Sequence, residues 1–232
     1  MEGTKQKIGS GLYEYAFVPV PKSAKKSNKS LFYVLTGYTS ALSCLVLGAK
    51  LGIEMPFWNA VGACVLGDLF LIFIGVVLGG LSADSGWSTT FLSRQILGRT
   101  PSVVFSCLII FCSIFWVGLN GEVFAKMLIS VFPFWPLPVS VTSVIIIINW
   151  AYSSANGWNG LERASRIVVP CSLVLLSYIM ARVFFKMGGV DFLFVPMTQK
   201  PLSFAMASSA VVGNYVFGCI ITPDTCRFAK NR

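Results

Sequence analysis

Histidine is absent from the 232 residues. That absence removes the usual general base, the usual proton relay and the commonest zinc ligand together. Charge is scarce. Asp, Glu, Lys and Arg make up 12% of the chain, against roughly 25% in an average soluble domain. So few charges cannot dress a water-exposed surface. Disorder is excluded as well, because disordered chains are charge-rich and apolar-poor whereas this one is 55% apolar. No C-x-x-C pair occurs among Cys44, Cys64, Cys107, Cys112, Cys171, Cys219 and Cys226, and their number is odd. That pattern argues against a disulfide framework or a zinc knuckle. Most lie in apolar runs, where cysteine packs as a small apolar residue. The first 30 residues carry six lysines and no apolar h-region, so they do not read as a signal peptide.

What is present is apolar sequence, with a mean hydropathy of +0.75. Six apolar segments lie near 31–49, 58–80, 102–129, 133–152, 167–186 and 203–222. Each meets or approaches the roughly 20 residues that cross about 30 Å of hydrocarbon. Runs such as Val144-Ile145-Ile146-Ile147-Ile148 lack the alternation of a β-barrel strand. The reading is therefore an all-α, multi-pass integral membrane protein of a cytoplasmic or plasma membrane. Its parts are a basic cytoplasmic tail (1–30), a six-helix transmembrane domain (31–222) and a short cytoplasmic end (223–232). With both termini inside, thirteen Lys and Arg fall on cytoplasmic segments and five outside, the bias expected of inner loops. Lysines beside a span serve topology, so no nucleic acid is expected as a partner. Loop 81–101 places Phe91, Leu92 and Ile96 at helical spacing, which predicts a short interfacial helix. Residues 132–138 read as an external turn rich in aromatics and proline.

Inside a membrane helix the informative residues are polar or small. In the first span Thr36, Ser40 and Ser43 recur at i, i+4 and i+7 beside Gly37. This predicts either small-residue packing or a local break whose freed carbonyls bind a cation. In the third span Ser113, Trp116 and Asn120 share a face. Trp116 fills the bundle core or stacks on a planar ligand. In the sixth span Gly213 and Gly218 bracket Asn214, Tyr215 and Phe217, a pattern suited to a discontinuous helix. Two interruptible spans at mid-membrane point to a transporter site. Asp68 lies in the middle of span two, as a proton-coupling or a structural group. Glu122 and Lys126, at i and i+4, are expected to pair.

Several stretches resemble the nucleobase:cation symporter-1 family of purine and cytosine permeases, and in particular its bacterial cytosine permease branch. They include Val20-Pro21-Lys22-Ser23-Ala24-Lys25-Lys26 and the loop Ala83 to Arg94 followed by Gly98. Met187-Gly188-Gly189-Val190-Asp191, Pro201-Leu202-Ser203-Phe204, Val211-Val212-Gly213 and Thr222-Pro223-Asp224-Thr225-Cys226-Arg227-Phe228 complete the set. The resemblance implies a LeuT-type fold, of which these six helices are the first repeat plus helix six. It also implies a secondary active transporter of nucleobases, with no enzymatic activity and no prosthetic cofactor. The coupling ion is sodium or a proton.

Carried onto this sequence, the base stacks between Trp116 and Tyr215. Asn214, Ser113, Asn120 and Gly213 complete the substrate site. The carbonyls of Gly37 and Ser40 would hold sodium, and Asp68 is the candidate coupling group. Ser113 stands where cytosine permeases carry glutamine, so the base need not be cytosine. Whole transporters of this kind have about twelve helices, so the resemblance covers the N-terminal half. The expected partners are a nucleobase, the bilayer and, for a half, a second polypeptide supplying the missing helices. The alternatives are a truncated, non-transporting fragment or assembly partner, and a LeuT-type carrier of another planar substrate such as a hydantoin or a vitamin. A membrane enzyme lacks support, since no metal-ligand cluster and no nucleophile with an adjacent base is present.

Overall fold

A computed structural model describes residues 15, 18–186, 189 and 202–230. Most of the basic tail before Val18, the Met187–Asp191 stretch apart from Gly189, Lys200, Pro201 and Arg232 lie outside the described residues. The helices run in chain order: α1 (Asn28–Thr39), α2 (Leu42–Glu54), α3 (Phe57–Ser85), α4 (Thr89–Leu97), α5 (Arg99–Val131), α6 (Val139–Ser154), α7 (Gly157–Lys186), α8 (Phe204–Ile220) and α9 (Thr222–Cys226). Among the described residues there is no strand; Lys26 and Ala229 form an isolated bridge. Three helices, α3, α5 and α7, are long and apolar enough to cross a membrane, and α1 with α2 makes a fourth such span, bent by 52° at its break. The apolar helices α6 and α8 are shorter, at 16 and 17 residues. At 1.5 Å per residue they reach roughly 25 Å. The protein is thus an all-helical polytopic membrane protein.

The break in the first span falls at Ser40 and Ala41. Ala41 is extended (φ −68°, ψ 139°), and Ser40 donates both its N–H and its hydroxyl to the Thr36 carbonyl at 3.0 and 2.7 Å. Thr36, Ser40 and Ser43 therefore do not form one continuous helical face. The bend turns Ser43 into a buried position at the start of α2.

Small residues set the most extensive helix contact among the described residues, that of α3 with α8. Ala60, Ala63 and Gly67 on α3 are buried, as are Ala207 and Val211 on α8. A Cβ added at Gly67 would lie 2.8 Å from Val211 Cβ. Lipid tails are as apolar as leucine, so close approach of backbones rather than hydrophobic exclusion holds such a pair.

At one end of the bundle the segment before α1 packs across several helices. Val20 N–H donates to Gly86 O at 3.1 Å and Lys26 N–H to Phe228 O at 2.7 Å. Lys25 Nζ donates to Ala83 O at 2.7 Å. Gly86 is left-handed (φ 71°), and the Val20 backbone lies 3.1 Å from where its Cβ would be, so both conformation and space require glycine. Beneath this strap Trp158 meets Phe228 at 4.8 Å between centroids and donates to Ser30 Oγ at 2.9 Å.

Loop 81–101 contains α4. The side chains that α4 buries are Thr89 and Ser93, while Ile96 is exposed. Asp224 explains the polar inner side: its Oδ1 accepts from Thr89 N–H, the first of α4's unpaired donors, at 3.1 Å. Burial pushes the Asp224 carboxyl above its ordinary range, and the Thr89 N–H and the Arg227 charge oppose that shift. In the turn at 132–138 Trp135 donates its indole N–H to the buried Thr142 at 3.0 Å. Glu122 and Lys126 pair at 2.7 Å.

Candidate functional site

A cavity of about 1160 Å³ opens between the bent first span, α3 and α8. Its lining is mainly apolar and includes the polar side chains of Tyr38, Cys44, Asp68, Asn214 and Tyr215. Apolar walls with a few convergent polar groups are what small planar ligands use.

Each of these groups is placed by a separate feature of the sequence. Tyr38 sits in the last turn of α1 and donates its hydroxyl to Gly218 O at 3.2 Å. Its ring meets Tyr215 edge-on at 5.8 Å. Asn214 Nδ2 donates to Cys44 Sγ at 3.3 Å, linking α8 to α2. Tyr215 folds its ring over Gly218, one turn on, where a Cβ would lie 2.8 Å from Cζ; its hydroxyl is buried without a hydrogen-bond partner among the described residues. Asp68, next to Gly67 in the close α3–α8 contact, is exposed on the cavity wall.

Of the residues singled out from sequence, Asn214, Tyr215 and Asp68 come together on this cavity. Gly213 lies beside Asn214 on α8, with nothing within 4 Å of where a Cβ would sit. Trp116 and Ser113 are on α5, half-buried, and are not among the lining residues. The Ser113 hydroxyl is committed to Ile109 O at 2.7 Å. Asn120 is buried between α5 and the start of α2. Gly37 packs against Ser165 of α7, where a Cβ would meet Ser165 Oγ at 2.6 Å. Ser40 caps α1, and the last carbonyls of that helix, Gly37's among them, have no intrahelical donors.

The sixth span differs from its sequence expectation. Residues 213–218 lie inside the unbroken helix α8, and the interruption comes at Ile221. Pro223 supplies the reason, because it has no N–H to donate to the Cys219 carbonyl four residues back. Sequence reasoning also passed over Tyr38 and Cys44. Tyr38, an aromatic beside Gly37 in mid-span, carried the same signal as Trp116. Cys44 carried none, since a cysteine in an apolar run reads as packing. Among the described residues no group of His, Cys, Asp and Glu is arranged to hold a metal ion.

The sequence pattern of a family described as permease for cytosine/purines, uracil, thiamine, allantoin matches residues 19–232. The cytosine permease of Escherichia coli O157:H7 is 28% identical over 213 residues, which is 92% of this chain and 50% of that protein. The cytosine permease of Escherichia coli strain K12 matches with the same identity and coverage. The chain thus spans about half the length of the curated relatives it matches. With residues 19–232 of the chain matched, the chain belongs to the family described as permease for cytosine/purines, uracil, thiamine, allantoin.

Proposed function

We propose that these helices form the first-repeat half of a secondary active nucleobase transporter, working by alternating access. The observation that carries this reading is the cavity beside the break in the first span. Tyr215 and Asn214 face it, in a chain whose family transports planar heterocycles. The base stacks between Trp116 and Tyr215. Asn214, Ser113 and backbone at Gly213 surround it as the site closes, with Asn120 behind them, bonded to backbone on α2 and α5. Half-buried Trp116 faces further helices, from the same or another polypeptide, that complete the wall. Sodium sits at the carbonyls of Gly37 and Ser40, which the break frees, or a proton is carried by Asp68 on the cavity wall. Both termini lie on the cytoplasmic side, in keeping with the Lys and Arg bias.

Uptake of labelled cytosine, adenine and uracil tests the reading. The protein is expressed from its whole gene in cells deleted for their own nucleobase permeases. Saturable uptake of at least one base is the expected result, and no uptake of any base removes the nucleobase reading. Trp116→Ala should weaken affinity by about 1–3 kcal/mol if the ring stacks; unchanged affinity in a folded variant removes Trp116 from the site. If Asp68 carries the coupling proton, Asp68→Asn should abolish the pH dependence of uptake and spare exchange. Persistent pH dependence makes Asp68 structural.

The family description also names thiamine and allantoin, so another planar substrate on the same fold is the second reading. Competition by those two compounds against each base separates the two.

A further inference from the structure

The start of α2 is capped by another helix, not by its own sequence. A helix leaves its first N–H groups without intrahelical acceptors. α1 and α8 solve this locally, with the hydroxyls of Ser27 and Ser203 accepting from Ser30 and Met206 N–H. The N-cap of α2 is Ala41, which has no side-chain acceptor. The Ser43 N–H instead donates to Asn120 Oδ1 of α5, at 3.3 Å and 77 residues away in sequence. The other end of that amide, Nδ2, donates to Trp116 O at 2.9 Å. One partner can only donate and the other can only accept, so together they fix which way the carboxamide points. Asn120 is 7% exposed, and both ends of its amide are occupied by backbone.

We infer that Asn120 is a positioning residue: it latches the start of α2, just past the break in the first span, onto α5 one turn from Trp116. It acts through the helix and does not touch the base. The latch itself is a property of the fold. Its part in transport rests on the permease reading, because the half-spans on either side of the break are then elements whose relative position differs between access states.

The test uses three forms of the protein expressed from its whole gene: wild type, Asn120→Leu and Asn120→Asp. Asp keeps the acceptor for Ser43 N–H, suits a helix N-terminus and, in its protonated form, also keeps a donor for Trp116 O. Leu keeps the bulk and loses the acceptor. In a background where Cys44 is the sole cysteine, its labelling rate by a small methanethiosulfonate reports the start of α2 without any substrate. We expect Asn120→Leu to label several-fold faster than wild type and Asn120→Asp to label at the wild-type rate. In uptake, Asn120→Leu should lower the maximal rate about fivefold, leave the ranking of competing bases unchanged, and be rescued by Asp. Equal labelling of Leu and wild type overturns the latch whatever the protein transports. A changed base ranking in Asn120→Leu overturns the positioning role and makes Asn120 a substrate contact. If the wild type takes up no base, the permease reading falls and the labelling result still decides the latch.

Discussion

The hydroxyl of Tyr38 reaches the carbonyl of Gly218 at 3.2 Å, joining the last turn of α1 to α8 across 180 residues of sequence. That carbonyl also accepts from Thr222 Oγ1 at 3.1 Å. Removing the tyrosine hydroxyl therefore leaves it satisfied. Tyr38→Phe should cost no more than about 1 kcal/mol, while Tyr38→Ala, which also loses the ring contact with Tyr215, should cost about 3–5 kcal/mol. Thermal unfolding in detergent measures both. Equal losses would show that the hydroxyl, not the ring, does the joining.

The α3–α8 contact predicts opposite outcomes at two glycines of one helix. A Cβ at Gly67 would meet Val211 Cβ at 2.8 Å and the Ser208 carbonyl at 3.2 Å, and the latter is backbone that cannot swing aside. Gly67→Ala should destabilise by about 1–3 kcal/mol. Gly75 has nothing within 4 Å, so Gly75→Ala should be neutral or stabilise by about 1 kcal/mol through helix propensity. A neutral Gly67→Ala in the same unfolding assay would mean the helices separate at little cost.

Trp158 is 3% exposed and supports the strap of residues 20–26 through Phe228. Trp158→Ala should cost about 3–5 kcal/mol and speed tryptic cleavage at Lys22, Lys25 and Lys26. Phe134→Ala, at a position 98% exposed, should leave cleavage unchanged. Wild-type cleavage in Trp158→Ala would show that the strap's backbone bonds hold it unaided.

Asp224 predicts a pH effect with a definite sign. Burial, partly opposed by Thr89 and Arg227, raises its folded-state pKa above the ordinary 3.8. The folded state then binds the proton more tightly than the unfolded state. Its stabilising contribution is complete below the unfolded value and is lost as pH rises through the folded one. Asp224→Asn keeps an oxygen for the Thr89 N–H and carries no charge. It should match wild type in acid and equal or exceed it at neutral pH, flattening that part of the pH profile. Asp224→Ala, which leaves the Thr89 N–H uncapped, should lose about 1 kcal/mol. An Asp224→Asn stability profile running parallel to wild type would show that the carboxyl titrates equally in both states.

The class of the protein was legible from its sequence, because solvation in lipid is a matter of composition. Few charges and six long apolar segments admit no water-facing surface, and backbone in lipid must be helical. The break in the first span was half-legible: Gly37 and its neighbouring hydroxyls marked it, and Ser40 and Ala41 are where the helix parts. The sixth span misled, because glycines suggest flexibility while the proline at 223, which removes a donor, ends the helix. Asn214, Tyr215 and Asp68 were found as polar groups in apolar runs. What joins them was not legible. The Asn120–Ser43, Asn214–Cys44 and Tyr38–Gly218 bonds link groups 77, 170 and 180 residues apart. No local pattern records them. A sequence sets how each helix prefers to be solvated, and that is a sum over neighbours. Which backbone donor meets which side chain depends on how closely two helices approach, and the tertiary packing of small residues such as Gly67 against Val211 decided it.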